Sequence, residues 1–324
     1  MRATVLILPI LLGGLGFTAS DPEPAPHPGP VPETAPGSEA AAAAVWGSDG
    51  HQMAARTAAA GLPGSMPEFF LEAGPMLAYL NPEPDRWRSR TQIAMDQAWN
   101  YGHYIDLENI PEGSGALSAE HRYEFLRILY DAGVERPEQS VGFLPYRTLE
   151  LYQRLVAEWR LWRAAPPGER AWVEMRILND AGILGHYATD ASQPHHTTIH
   201  FNGWDSDAPN PRGYTYARDF HGRFESDFVS AHIEQSEVDA AAEPGVRSVV
   251  GAAREAIWDH VQETHGLVVT LYELEQAHGF DPDAASPHPE LEAFAAERLA
   301  AGADMLRTLW WSAWLESAEP EPEG

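Results

Sequence analysis

Apolar residues recur at steps of three and four through most of this chain, and that period predicts helices. In "TLELYQRLVAEWRLW", Leu151 or Tyr152, Leu155, Trp159 and Trp162 share one helical face, and Pro166-Pro167-Gly168 ends the element. "RAWVEMRILNDAGILGHYATDAS" is apolar on several sides, which suits a helix buried all round. "SAEHRYEFLRILYDAG" predicts an N-cap at Ser118 and a stop at Gly133. Towards the C-terminus Phe294, Leu299, Met305, Leu306, Leu309, Trp310 and Ala313 continue a single stripe. Aromatic residues in such stripes belong to a core. No stretch alternates with period two for long enough to demand a strand, so the predicted fold is all-α.

The two ends depart from this pattern. "TVLILPILLGGLGF" follows Met1-Arg2 and precedes small residues, which reads as a signal peptide over residues 1–20 and is too short to span a bilayer. "DPEPAPHPGPVPETAPGSEAAAAA" has no hydrophobic period and reads as a Pro/Ala-rich linker, residues 21–45. "ESAEPEPEG", residues 316–324, is an acidic tail. Between them, residues 46–315 read as one multi-helix domain. The expected location is secreted or periplasmic, without a stable membrane anchor, and no protein partner is predicted.

Composition narrows the chemistry. There are no cysteines, which removes disulfides, thiolate metal sites and a thiol nucleophile. A net charge of −27 with 21 Lys and Arg argues against a basic groove that neutralises phosphates. Bound cations reverse the sign locally, so a metal pocket can still attract a phosphate ester. Metal ligands here must come from the 14 His and 48 acidic residues.

The most informative stretch is "LGHYATDASQPHHTTIHFNGW". His186 and Asp190 stand four apart at the end of a helical pattern and leave the same face. Pro194 breaks the helix, and His195-His196 follow on the turned chain. Zinc takes imidazole nitrogens and carboxylate oxygens converging from different directions, which such a helix–turn arrangement supplies. A second pair, His221 and Glu225 in "DFHGRFE", has the same spacing. Upstream, "WGSDGH" carries Trp46 and His51, and "EPDRWRSRTQIAMDQAWNYGHYIDLENIP" carries Asp85, Asp96, His103 and Asp106. The remaining histidines, His278 and His288 among them, are expected to be solvated or to cap helices.

From Trp46 to about Glu225 this pattern resembles the zinc-dependent phospholipase C superfamily, which includes the single-strand-specific zinc nucleases. The resemblance implies up to three zinc ions in a cleft between helices. Asp85, His103, His186 and Asp190 would hold the first. Asp190 would bridge to a second on His51 and the backbone of Trp46, and His196, His221 and Glu225 would hold the third. Asp96 is the alternative to Asp85, and His195, Asp106, Trp204 and Tyr214 would line the pocket. The resemblance further implies a free α-amine at Trp46: either the linker is removed and frees it, or Trp46 stays mid-chain with an amide nitrogen and its ion, held by the Trp46 carbonyl, His51 and Asp190, binds weakly.

The implied activity is hydrolysis of a phosphodiester by a metal-activated water, with Asp85 and Asp190 as the catalytic carboxylates. The substrate would be a phospholipid headgroup or a single-stranded nucleic acid, since Glu225 favours the lipid branch and "HYID" the nuclease branch. The alternative is a non-catalytic helical protein in which zinc only staples the fold.

Overall fold

Among the described residues, short proline-started helices follow the first helix, and long antiparallel ones build the centre. The computed structural model describes residues 47–89 and 91–320. The expected signal peptide, the linker, Trp46 and residues 321–324 of the acidic tail lie outside the described residues. Helix α1 (Ser48–Ala60) is followed by α2 (Glu68–Leu71), α3 (Gly74–Leu80) and α4 (Glu83–Arg86). Pro67, Pro75, Pro82 and Pro84 stand at the starts of α2, α3 and α4, where a missing N–H costs nothing. Next come α5 (Ile93–Trp99), α6 (Arg122–Asp131) and α7 (Pro137–Ser140), then the long pair α8 (Leu144–Ala164) and α9 (Arg170–Asp190). After α10 (Phe220–Gly222) a π-helical turn, Arg223–Phe228, leads into α11 (Val229–His232). Helices α12 (Gln235–Ala241), α13 (Ala253–His265), α14 (Val268–His278) and α15 (Pro289–Glu316) complete the order. Among the described residues there is no strand, only isolated bridges at Ile105–Gly142 and Phe201–Gly203. The all-α expectation holds.

Helix ends follow local chemistry, with one correction. The α6 helix starts at Arg122, not after Ser118: His121 is its N-cap, and its Nδ1 accepts from the Glu124 N–H at 3.2 Å. Ser118 instead closes a 3-10 turn by donating its hydroxyl to the Gly115 carbonyl. A short side chain followed by Glu looked like the cap because sequence alone does not show that Ala119 is extended. The predicted stop is as expected, with Gly133 at φ +83° just past the last turn. His288 caps α15 by accepting from Glu290 N–H, so two of the histidines assigned to the bland role do cap helices.

Helices α8 and α9 run antiparallel. Trp162 donates to Glu174, Arg176 pairs with Glu158, and Arg154 pairs with Asp180. The larger core lies between α1, α3, α8, α9 and α15 and holds the fully buried Trp159 and Trp310. The Trp310 indole donates to the Ala181 carbonyl at 3.1 Å, which fixes α15 against α9 without leaving a buried N–H unpaired. A second core gathers Phe220, Phe224, Phe228, Tyr272, Phe280 and Phe294. No helix among the described residues is long and apolar enough to cross a membrane.

Candidate metal centre

The C-terminal turns of α9 form the spine of the site. His186 and Asp190 lie one turn apart on its buried face, and neither side chain is exposed to solvent. His186 Nε2 is 3.2 Å from Asp190 Oδ2. Helix α1 is alanine-rich, and Ala54, Ala55 and Ala58 are fully buried, so its backbone comes close and brings in His51 from its first turn. The His51 ring stacks on His186 with centroids 4.1 Å apart, and His51 Nε2 is 3.5 Å from Asp190 Oδ1.

Asp85 reaches the same place through a close helix crossing. A Cβ on Gly182 would lie 2.4 Å from Leu80 Cβ, and one on Gly185 would lie 2.6 Å from the Asn81 amide. The two glycines therefore form the gap that lets α3 and α4 lie on α9. Asp85 Oδ1 ends 3.7 Å from His186 Nε2 and 3.8 Å from His103 Nδ1. Asp96 belongs to none of the donor groups formed by the described residues. Gly182→Ala should destabilise the fold by ~1–3 kcal/mol, as overpacking does, and lower metal content by moving Asp85. A thermal melt and metal analysis of the purified variant check both; unchanged values would mean that the crossing does not set Asp85.

His103 follows a 3-10 turn, Asn100–Gly102, and its Nδ1 is 2.9 Å from His186 Nε2 and 3.2 Å from Asp190 Oδ2. Its neighbours are fastened on both sides: Phe143 N–H donates to Tyr101, and Ile105 N–H donates to the His196 carbonyl. Beyond Pro194, a second 3-10 turn, Pro194–Thr197, carries His196. Its Nδ1 donates to the His103 carbonyl at 2.6 Å, which leaves Nε2 as the nitrogen facing Glu225 at 3.6 Å, a lone pair for a cation once its proton is displaced. His221 and Glu225 straddle the entry to the π turn, with Nε2 to Oε2 at 2.8 Å. Gly47 N–H donates to the Glu225 carbonyl, tying the start of α1 to that turn.

Three donor groups result: Asp85, His103 and His186; His51, His186 and Asp190; and His196, His221 and Glu225. Whether they suit zinc can be judged from spacing and from unmet demand. Tetrahedral zinc with bonds of 2.0–2.1 Å separates neighbouring donors by about 3.4 Å, in the range found here. His51 Nε2, Asp85 Oδ1, Asp190 Oδ1, His196 Nε2 and His221 Nε2 face the other donors and are buried without a hydrogen-bond partner. Each such orphan costs ~1–3 kcal/mol, a demand that cations in the cluster would relieve. Nitrogen and oxygen donors without thiolates suit zinc. The residues fit.

The electrostatics show a cluster organised around one anion. Burial opposes ionisation of Asp190, yet His186 and His196, with hydrogen bonds from His103 and His186, hold its carboxyl well below the usual range. Burial likewise works against a charged His196, but Asp190 and Glu225 push it up to about 10. His103 is pushed down to about 3, mainly by burial, and His51 is held well below its usual value by burial and by His186. Burial raises Asp85 to about 6 against the pull of His186. Solvent reaches the donors at two ends, where the side chains of Asp85 and His221 are 23% and 17% exposed and the others at most 3%.

The expected pocket residues are more dispersed. Asp106 is buried, and burial with Glu108 pushes its carboxyl up to about 8. His195 packs edge-on against Phe220, and both its ring nitrogens lack partners. Trp204 stacks on His200 at 3.8 Å, and Tyr214, 3% exposed, is part of the second core. Their rings meet that of Tyr272, which lies 6.4 Å from the ring of His195. Sequence reasoning missed Gln193. It is fully buried, its amide donates to Glu225 Oε2 at 3.2 Å, and its carbonyl accepts from His195 N–H. An amide just ahead of the Pro-His turn was the available signal.

No protein-family model and no curated protein matches this chain. Among solved structures it is similar to the crystal structure of Clostridium perfringens alpha-toxin from an avian strain, with a TM-score of 0.43 and 13% identity over 84% of this chain. The chain covers 65% of the length of that protein.

Proposed function

We propose that this chain is a secreted zinc-dependent phosphodiester hydrolase of the zinc phospholipase C and single-strand nuclease superfamily. One observation carries the reading. Two donor groups share His186, and the third touches Asp190 through His196 Nδ1, 3.4 Å from Oδ1, so the groups adjoin as one multi-ion centre. Zinc at these donors supplies a Lewis acid for phosphoryl oxygens and lowers the pKa of water to near neutrality.

The chain's own residues account for the rest. Asp190, charged and enclosed by imidazoles, holds His51, His103, His186 and His196 in one arrangement. Asp85, at the accessible end, accepts the proton of the water that attacks phosphorus as the leaving P–O bond breaks. Asp106, its carboxyl pushed up to about 8 by burial and Glu108, would supply a polar group to the pocket near His196. Gln193 keeps Glu225 turned towards His196 and His221. His195, packed on Phe220 and 4.9 Å from the His221 ring, backs the donors from the second core, to which Trp204 and Tyr214 belong. The exposed Phe201 ring, 6.4 Å from His221, offers a face for a lipid headgroup or a base at the open end.

Metal analysis of the purified chain, with hydrolysis assays on phosphatidylcholine vesicles and single-stranded DNA, tests the proposal. Up to three zinc ions per chain and cleavage of one substrate, absent in Asp190→Ala, are expected. A metal-free chain overturns the reading. Zinc retained without cleavage of either substrate replaces it with a structural role.

A further inference from the structure

A second set of metal-ligating side chains lies on the surface, outside the centre described above. His278 is the last residue of α14, His288 is the N-cap of α15, and Glu290 is in the first turn of α15. Their donor atoms lie within 4.8 Å of one another. The two imidazoles are face to face, with centroids 3.6 Å apart and planes 9° apart. The Glu290 carboxylate is 3.4 Å from His278 Nε2. The two histidines border a surface cavity of about 400 Å³ whose floor includes Phe228 and Leu291.

Stacked imidazoles at this distance are favourable when neutral and repel when both are protonated, and the neutral ring is the form that binds a metal. Two imidazoles with one carboxylate suit zinc, leaving a fourth position for water. The Glu290 side chain is 68% exposed and His288 is exposed, so small rotations of these two can bring their donors to ligand spacing about His278, whose side chain is 22% exposed. His288 Nδ1 is engaged only by a long contact of 3.4 Å from Glu290 N–H, so its ring is free to turn.

The position of the cluster gives it a purpose. Residues 279–287 form the turn between α14 and α15, and the near end of that turn is already held. Phe280 is buried among Phe220, Phe224 and Phe228, with ring centroids 5.4, 5.0 and 6.0 Å away. The Asp281 carbonyl accepts from His232 Nε2 at 2.9 Å. The far end, running to His288, has the paired imidazoles as its closure. We propose that His278, His288 and Glu290 form a second, surface site for a zinc-like divalent cation, which clamps the α14–α15 turn behind the π-helical segment. The site does not depend on the hydrolase reading.

The test is a calorimetric titration of zinc chloride into protein whose internal centre is already loaded with zinc. The wild type should bind one further ion. His278→Ala should lower its affinity at least tenfold, and so should His288→Asn, which preserves an N-cap and so separates metal binding from fraying of α15. A parallel melt should show the wild-type Tm rising by about 5 °C at a hundredfold excess of zinc over the wild-type dissociation constant, and by about half that or less in either variant at the same zinc concentration. Absence of a further ion in the wild type overturns the proposal. An ion bound equally well by both variants does so too.

Discussion

Asp190→Asn is expected to remove phosphodiester hydrolysis almost completely while leaving the helices formed. Asp190 is the common neighbour of His51, His103, His186 and His196, at 3.2–3.5 Å from each. Burial alone would drive the His196 imidazole down, and the charge of Asp190, together with Glu225, instead keeps it up near 10. Asparagine has the same size but no charge, and its amide nitrogen cannot accept a hydrogen bond or ligate a cation. Loss of a partner that merely orients a ligand costs 10–100-fold in metal affinity or activity, so loss of this shared carboxylate should exceed about 100-fold. The measurements are the hydrolysis rate, metal content and far-ultraviolet circular dichroism of the same preparation. Near wild-type rates with full metal content would count against Asp190 as a bridging group.

Chelation should lower Tm steeply. The donor clusters put imidazole and carboxylate atoms in the interior without hydrogen-bond partners, and a folded chain without cations must carry that penalty. None of the three groups is contained in a single helix, so the unfolded chain has little affinity to compete. An ion at a thousandfold over its dissociation constant adds about 4 kcal/mol, and for a domain of this size each kcal/mol moves Tm by ~2–4 °C. Stripping even one internal ion should therefore lower Tm by about 8–16 °C, with recovery on adding zinc back. A melt that is unchanged after verified metal removal would show that the cluster is satisfied without cations.

What the sequence disclosed depended on whether a feature is local. The apolar stripes of α8, α9 and α15 were legible because burial on a helix imposes its own period. The pairs His186–Asp190 and His221–Glu225 were legible because four residues within a helix fix their relative direction. Asp85 and Asp96 stood as alternatives because their placement depends on how α4 crosses α9. That crossing is set by the space over Gly182 and Gly185, which lie far along the chain and carry no chemistry of their own. The start of α6 was misplaced by the side-chain chemistry of Ser118, since a histidine can cap a helix as well. Trp204 and Tyr214 were recognisable as aromatic, but their stacking on His200 and Tyr272 arises from tertiary packing.

The π-helical turn has a consequence for how this segment is spelled. Phe220, Phe224, Phe228 and His232 recur at strict steps of four, and the three phenylalanines all meet the Phe280 ring. In an α-helix each four-residue step overshoots a full turn by about 40°, so such a stripe would wind off its partner within three steps. The wider i→i+5 turn of Arg223–Phe228 takes up that drift. His221 and Glu225 ride the same count one residue behind the phenylalanines, so the cadence that seats the aromatic stack also sets the aim of two metal donors. A four-beat rhythm of large apolar residues, with a His and a carboxylate echoing it one place later, is thus the written form of this half of the site.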